Sequence, residues 1–134
     1  MFKKILSLCT LLVFAGLIAG PASAARLQEV YNPEPIAVPP GKSLEQVKSA
    51  IHRGLAEKGF QYKDIGPNQV QGKYTRPSKK GDYVAVFDVK YDTTSVRISY
   101  KNSENLNYDS GNIHPTYNKW IHTAENYIRL NLEK

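Results

Sequence analysis

The sequence predicts an α+β domain: a two-layer α-β-β-β-β-α unit in which a four-stranded antiparallel meander carries both helices on one face. Three observations predict it. Two segments repeat their apolar residues at the helical period, one near each end of the domain. Between them lie short alternating runs divided by turn residues. The last two runs, DYVAVFDVKY and VRISYK, have matching apolar parity around the loop Asp92–Ser95. Closing that loop sets Tyr91 against Val96, Val89 against Ile98 and Phe87 against Tyr100, all on one face.

The first 24 of the 134 residues read as a leader outside the fold. Lys3 and Lys4 form a positive start, Ile5 to Ile18 is apolar, and Ala22-Ser23-Ala24 is an A-x-A processing signal. Cleavage after Ala24 would leave 110 residues with Ala25 first, in the periplasm or outside the cell. The apolar stretch is shorter than the roughly 18–20 residues of a membrane span, so no span is expected after cleavage. Cys9, the one cysteine, sits inside the apolar stretch behind Leu8, which excludes it as a lipidation site. The mature chain therefore has no disulfide, no thiol nucleophile and no thiolate ligand, and its core alone must hold it.

From Ala25 to Lys42 the chain carries Pro33, Pro35, Pro39 and Pro40 and reads as an extended tether. Ile36 and Val38 suit a brief addition to a sheet edge, where proline is tolerated. The domain proper is expected over 43–134. Ser43 with Gln46 forms a capping box, and Leu44, Val47, Ile51 and Leu55 share a helix face beside Ala50 and Gly54. Gly59 suits the position just past the helix end, with Phe60 closing the cap. His52 is expected to face solvent. Phe60 and Tyr62 open the first strand, which runs to Ile65, and Gly66-Pro67-Asn68 turns the chain. Val70, Gly72 and Tyr74 alternate in the second strand. There Gly72 signals a bulge or a large neighbour packed over it. The turn from Arg76 to Gly81 leads into the hairpin. Pro115 marks the first turn of the last helix, with His114 as N-cap. Its buried face is Tyr117, Ile121, Ala124 and Ile128, flanked by Trp120 and Tyr127.

The formal charge of +6 falls to +4 with loss of Lys3 and Lys4. No basic stripe interleaved with aromatics marks a nucleic-acid surface. The one basic cluster, Arg76 with Lys79 and Lys80, reads as a solvated turn, with contact to anionic lipid or polysaccharide as the sharper alternative.

Function, if local, is expected between Ser103 and Tyr117. The candidate binding residues are Glu104, Asn105, Tyr108, Asp109, His114 and Tyr117. Glu104, Asp109 and His114 are the groups an enzyme would use for acid–base work. No nucleophile motif accompanies them, so no catalytic residue is assigned. The spacing of Asp109, His114 and His122 matches no metal site, and no cofactor is expected. The competing reading is a clasp: Asn105, Asn107, Asp109 and Asn112 form turns, Leu106, Tyr108 and Ile113 pin them to the core, and the Asp109 side chain holds the turn at Ser110-Gly111.

The run VRISYKNSENLNYD, followed by NIHPTYNKWI, resembles small exported bacterial proteins of unknown function, usually labelled lipoproteins or uncharacterised periplasmic proteins. In these a segment like S-x-N-L-x-Y-D follows a strand and I-H-x-x-Y-N-x-W opens the last helix. Here the matching positions are Ser103, Asn105, Leu106, Tyr108, Asp109, Ile113, His114, Tyr117, Asn118 and Trp120. Tyr91-Asp92 fits as well, and the resemblance extends over most of the mature chain. Many such proteins carry a lipid-accepting cysteine after the leader; this chain has none there, which argues against lipid anchoring. The resemblance implies an exported envelope protein and supplies no activity. The expectation is a non-enzymatic periplasmic domain that contacts another envelope component, a protein or a polysaccharide. Nine of its twelve aromatics are tyrosines, suited to wet interfaces.

Overall fold

A computed structural model describes residues 26–134. The expected leader, its cleavage after Ala24 and Cys9 lie outside the described residues. The elements are β1 (Gln28–Glu29), β2 (Ile36–Ala37), α1 (Leu44–Glu57), β3 (Gln61–Gly66), β4 (Gln69–Arg76), β5 (Tyr83–Tyr91), β6 (Ser95–Glu104), β7 (Asn112–Ile113) and α2 (Pro115–Leu132). The fold is α+β, with two helices and a five-stranded antiparallel sheet in the order β2-β6-β5-β4-β3. The expected count of four strands is corrected: β2 adds a fifth at the β6 edge, and β1 with β7 forms a separate two-stranded ribbon.

The hairpin has the expected register, with Tyr91 opposite Val96, Val89 opposite Ile98 and Phe87 opposite Tyr100. Beyond Phe87 the pairing shifts by one residue, so that Val84 faces Glu104. The hairpin loop is held by Asp92, whose Oδ1 accepts from the Thr94 and Ser95 amides at 2.7 and 2.8 Å and from the Thr94 hydroxyl at 2.8 Å. These bonds, first those from Thr94, hold its carboxyl below the ordinary carboxylate range.

Both helix starts follow from their caps. Ser43 Oγ accepts from the Gln46 amide, and the Gln46 side chain accepts from the Ser43 amide, a complete capping box. At the other end of α1, the Gly59 amide reaches Ala56 O and the Phe60 amide reaches Leu55 O, with Gly59 at φ +80°. That is a Schellman ending, and it needs a residue tolerant of positive φ. His114 caps α2, its Nδ1 accepting from the Thr116 amide at 3.1 Å.

One core joins Val47, Ile51 and Leu55 of α1, Ile121 and Ile128 of α2, and Val70, Phe87, Val89, Val96 and Ile98 of the sheet. Gly72 leaves room for Phe87; a Cβ there would lie 2.4 Å from Phe87 Cζ. Leu44, expected on the buried face, is exposed because it sits at the first turn of α1, outside the helix–helix contact. His52 does not simply face solvent. It stacks on Tyr62 with ring centroids 4.3 Å apart and bonds Asp64 at 2.9 Å.

The Pro-rich segment, expected as a tether, contributes Ile36 and Val38 to the core. Its Val38 amide donates to Thr94 O, and Asn32 Oδ1 accepts from the Tyr100 amide. Further back, the Tyr31 amide donates to buried Asn118. Tyr31 also stacks on His122 and donates its hydroxyl to Glu125 at 2.7 Å. That carboxylate pushes the Tyr31 hydroxyl up to about 12.

Candidate functional site

The chain leaves β6 at Glu104 and crosses to α2 through two consecutive reversals. Asn105 and Asn107 take φ of +60° and +56°, which asparagine tolerates better than most side chains. Between them Leu106 is fully buried and receives the His114 amide on its carbonyl at 2.9 Å. The second reversal is a hairpin from Asp109 to Asn112. Ser110 and Gly111 sit at φ +50° and +88°, and the Asp109 and Asn112 backbones exchange bonds of 2.8 and 2.9 Å. Asn112 and Ile113 then pair with Glu29 and Gln28, and the Val30 amide donates to Gly111 O. The clasp therefore holds the N-terminal segment as well as joining sheet to helix.

The six candidate residues do not converge. Glu104 is exposed at the end of β6. Tyr108, about half exposed, stacks on Tyr100 with centroids 4.5 Å apart. Tyr117 belongs to the core: it is fully buried, packs edge-on against Tyr100, and its hydroxyl has no partner. Burial pushes that hydroxyl well above the ordinary tyrosine range. Among the described residues no hydrogen bond or ion pair joins any two of Glu104, Asp109 and His114, and none groups three or more His, Cys, Asp or Glu suited to a metal ion. The expected anchor at the Asp109 side chain is corrected. Its Oδ1 accepts only the Ser110 hydroxyl, at 3.2 Å, because two positive-φ residues let the backbone close the turn unaided.

The structure does bring Asn105 and His114 together, at a cleft of about 510 Å³. Its other wall is the β4–β5 turn with Arg76, Ser78, Lys80 and Tyr83, and Arg26 closes one side. Among the described residues no carboxylate lines it. Among the described residues, none of Arg26, Arg76 and Lys80 takes part in a salt bridge. Asn105 ties the two walls, its Nδ2 donating to Asp82 O at 2.7 Å. The turn is braced internally: Ser78 Oγ donates to Gly81 O at 2.6 Å and accepts from the Lys80 amide at 3.2 Å.

No protein-family model and no curated protein matches this chain. The chemistry of the cleft must therefore be read from its own atoms.

The first turn of α2 offers little to an anion, although helix starts often do. Pro115 has no N–H, the Thr116 amide is taken by the His114 ring, and the Tyr117 amide by His114 O. Attraction at the cleft comes instead from the three cationic side chains. The sequence marks Arg76, Lys79 and Lys80 as a basic cluster, read as a solvated turn with contact to anionic lipid or polysaccharide as the alternative, and does not single out Arg26. The missing signal was the pairing of β5 with β6. Antiparallel pairing of β5 with β6 as far as Val84–Glu104 brings Asn105 near Asp82, next to the basic turn.

Two aspartates that precede turns now separate by experiment. Asp92→Ala removes three bonds and should lower the urea midpoint clearly, whereas Asp109→Ala removes one and should lower it little. The folded carboxyl of Asp92 is depressed, so its contribution is present above the unfolded value and lost as pH falls through the folded one. The midpoint difference between wild type and Asp92→Ala should therefore shrink in acid. Equal midpoints for the two mutants at neutral pH would contradict the assignment.

Proposed function

We propose that this chain is an exported, non-enzymatic domain of the bacterial cell envelope that binds an acidic envelope component at the Arg26–Arg76–Lys80 cleft. One observation carries the reading: three cations without salt-bridge partners line a concave site that no carboxylate enters. Such a site concentrates positive potential and attracts negative partners. The divergence of Glu104, Asp109 and His114 supports binding over acid–base chemistry. The resemblance to small exported bacterial proteins and the A-x-A signal ending at Ala24 support the location. Among the described residues, no helix is long and apolar enough to cross a membrane. In this reading the domain is a two-layer unit with both helices over one sheet face, as the shared core of α1, α2 and the sheet suggests.

A photo-crosslinking residue at Lys79, exposed on the same turn and outside the cleft lining, expressed in the protein's own cells, tests it. An adduct with an envelope component should form, and it should disappear when Arg76 and Lys80 are changed to glutamate. An adduct that survives both changes would overturn the assignment to the cleft. Mass spectrometry of the periplasmic form should find Ala25 first; a retained leader, or a lipid on Cys9, would contradict export by cleavage.

A further inference from the structure

We propose, building on the acidic-partner reading above, that the cleft takes a phosphate ester carried on a polyhydroxylated body, such as a phosphorylated sugar, with Arg76 as its anchor. The Arg76 guanidinium lies 5.3 Å from the Tyr83 ring centroid and 5.7 Å from that of Trp120. Rings hold a guanidinium plane by its faces and leave its edge donors free. Among the described residues, no hydrogen bond or salt bridge uses an Arg76 guanidinium donor. The two rings flank the guanidinium while its donors stay unpaired, which suits a fork that meets two oxygens of one phosphate.

Charge points the same way. Arg26 and Lys80 share the cleft with Arg76, and three cations exceed what one carboxylate needs. A phosphate monoester carries about −1.5 to −2 near neutral pH and presents three acceptor oxygens. Size then argues for more than the anion. The cleft of about 510 Å³ lies in the range of sites for whole small molecules. Beyond the cations its wall is rich in hydroxyls and amides, from Thr116, Tyr83, Asn105 and Asn107. Those groups exchange hydrogen bonds with sugar hydroxyls as readily as with water. His114 adds a donor: with Nδ1 accepting from the Thr116 amide, the neutral ring carries its proton on Nε2. The site is also largely formed in advance, since the Ser78 and Asn105 bonds fix both walls.

The test titrates the purified protein, followed by amide chemical shifts, with glucose 6-phosphate, glucose, inorganic phosphate, polyglutamate and phosphatidic acid vesicles. Glucose 6-phosphate should saturate, with shifts at Ser78, Tyr83, Asn105 and Thr116, and bind at least about tenfold more tightly than inorganic phosphate. Glucose alone should not bind. Arg76→Lys keeps the charge and loses the fork, and should weaken binding about tenfold or more. Lys80→Gln is a second exposed change that should weaken binding without disturbing the contacts of Arg76 with Tyr83 and Trp120. Vesicle binding that requires Arg76, without a response to the soluble ester, would place the same ester on a lipid headgroup. Equal affinity for phosphate and glucose 6-phosphate would overturn the sugar component. Polyglutamate binding without any phosphate binding would overturn the ligand class and leave the acidic-partner reading standing. Failure of every anion would remove both.

Discussion

Val89→Asp should cost about 3–5 kcal/mol of folding stability, because it places an unpaired carboxylate in the core. Val89 is fully buried, with Val70 beside it on β4 and Ile98 on β6. Among the described residues no cation is buried, so nothing in the core compensates the charge. For a domain whose total stability is about 5–15 kcal/mol, such a change can leave a large unfolded fraction. The neighbouring change Arg97→Ala gives the contrast. Arg97 is exposed and directly opposite Lys90, so its removal relieves a like-charge pair while giving up little packing. Its effect should stay within about 0.5 kcal/mol. Urea melts of the two variants measure both, and equal losses would refute the facing of the hairpin.

That facing was legible because it is a local property. Parity around the Asp92–Ser95 loop admits one register in which Phe87, Val89 and Tyr91 all find apolar partners. The Ser43–Gln46 box, the Gly59 ending and His114-Pro115 were legible for the same reason, since each cap is written in adjacent residues. Two-residue strands carry no period at all. β2 is held by Ile36 in the core and by pairing to Val96: the sequence admits Ile36 and Val38 at a sheet edge, and only the fold names β6 as that edge. Asp92 and Asp109 look alike in sequence, yet only the first sits where Thr94 and Ser95 can donate to it. The cleft was the least legible feature. It is assembled from residues near 26, 76–83 and 105–116, and a cation's meaning depends on what faces it. Arg76 beside a carboxylate would be an ordinary surface pair; here it lines one cleft with Lys80, Arg26 and His114. The buried Asn118 and Asn131 escaped as well, because polar residues on a helix are expected outside. Each is accounted for by its partners: Asn118 holds the backbone of Glu29 and Tyr31, and Asn131 bonds Glu57, Arg53 and Tyr127 O.

The second large effect concerns the crossing of the two helices. Glycine inside a helix costs about 0.5–1 kcal/mol relative to alanine, so Gly54 in the last turn of α1 needs a compensating gain. The gain is close approach. A Cβ at Gly54 would lie 2.8 Å from Tyr127 O and 2.9 Å from Ile128 Cα, which are backbone atoms of α2. Backbone cannot rotate aside as a side chain can, so the helices themselves must part. Parting them strains the bonds that Asn131 makes to Arg53 and Glu57 one turn away, and opens space beside buried Ile128 and Leu55. Gly54→Ala should lose about 1–3 kcal/mol to overpacking and recover about 0.5–1 from helix propensity, for a modest net loss. Gly54→Leu adds three more carbons to the same contact and should lose more than about 3 kcal/mol. Thermal melts separate the outcomes, since 1 kcal/mol moves Tm by about 4–8 °C in a domain of roughly this size. If Gly54→Ala melts above the wild type, propensity outweighs contact there, and the helices do not pack as closely as the geometry requires.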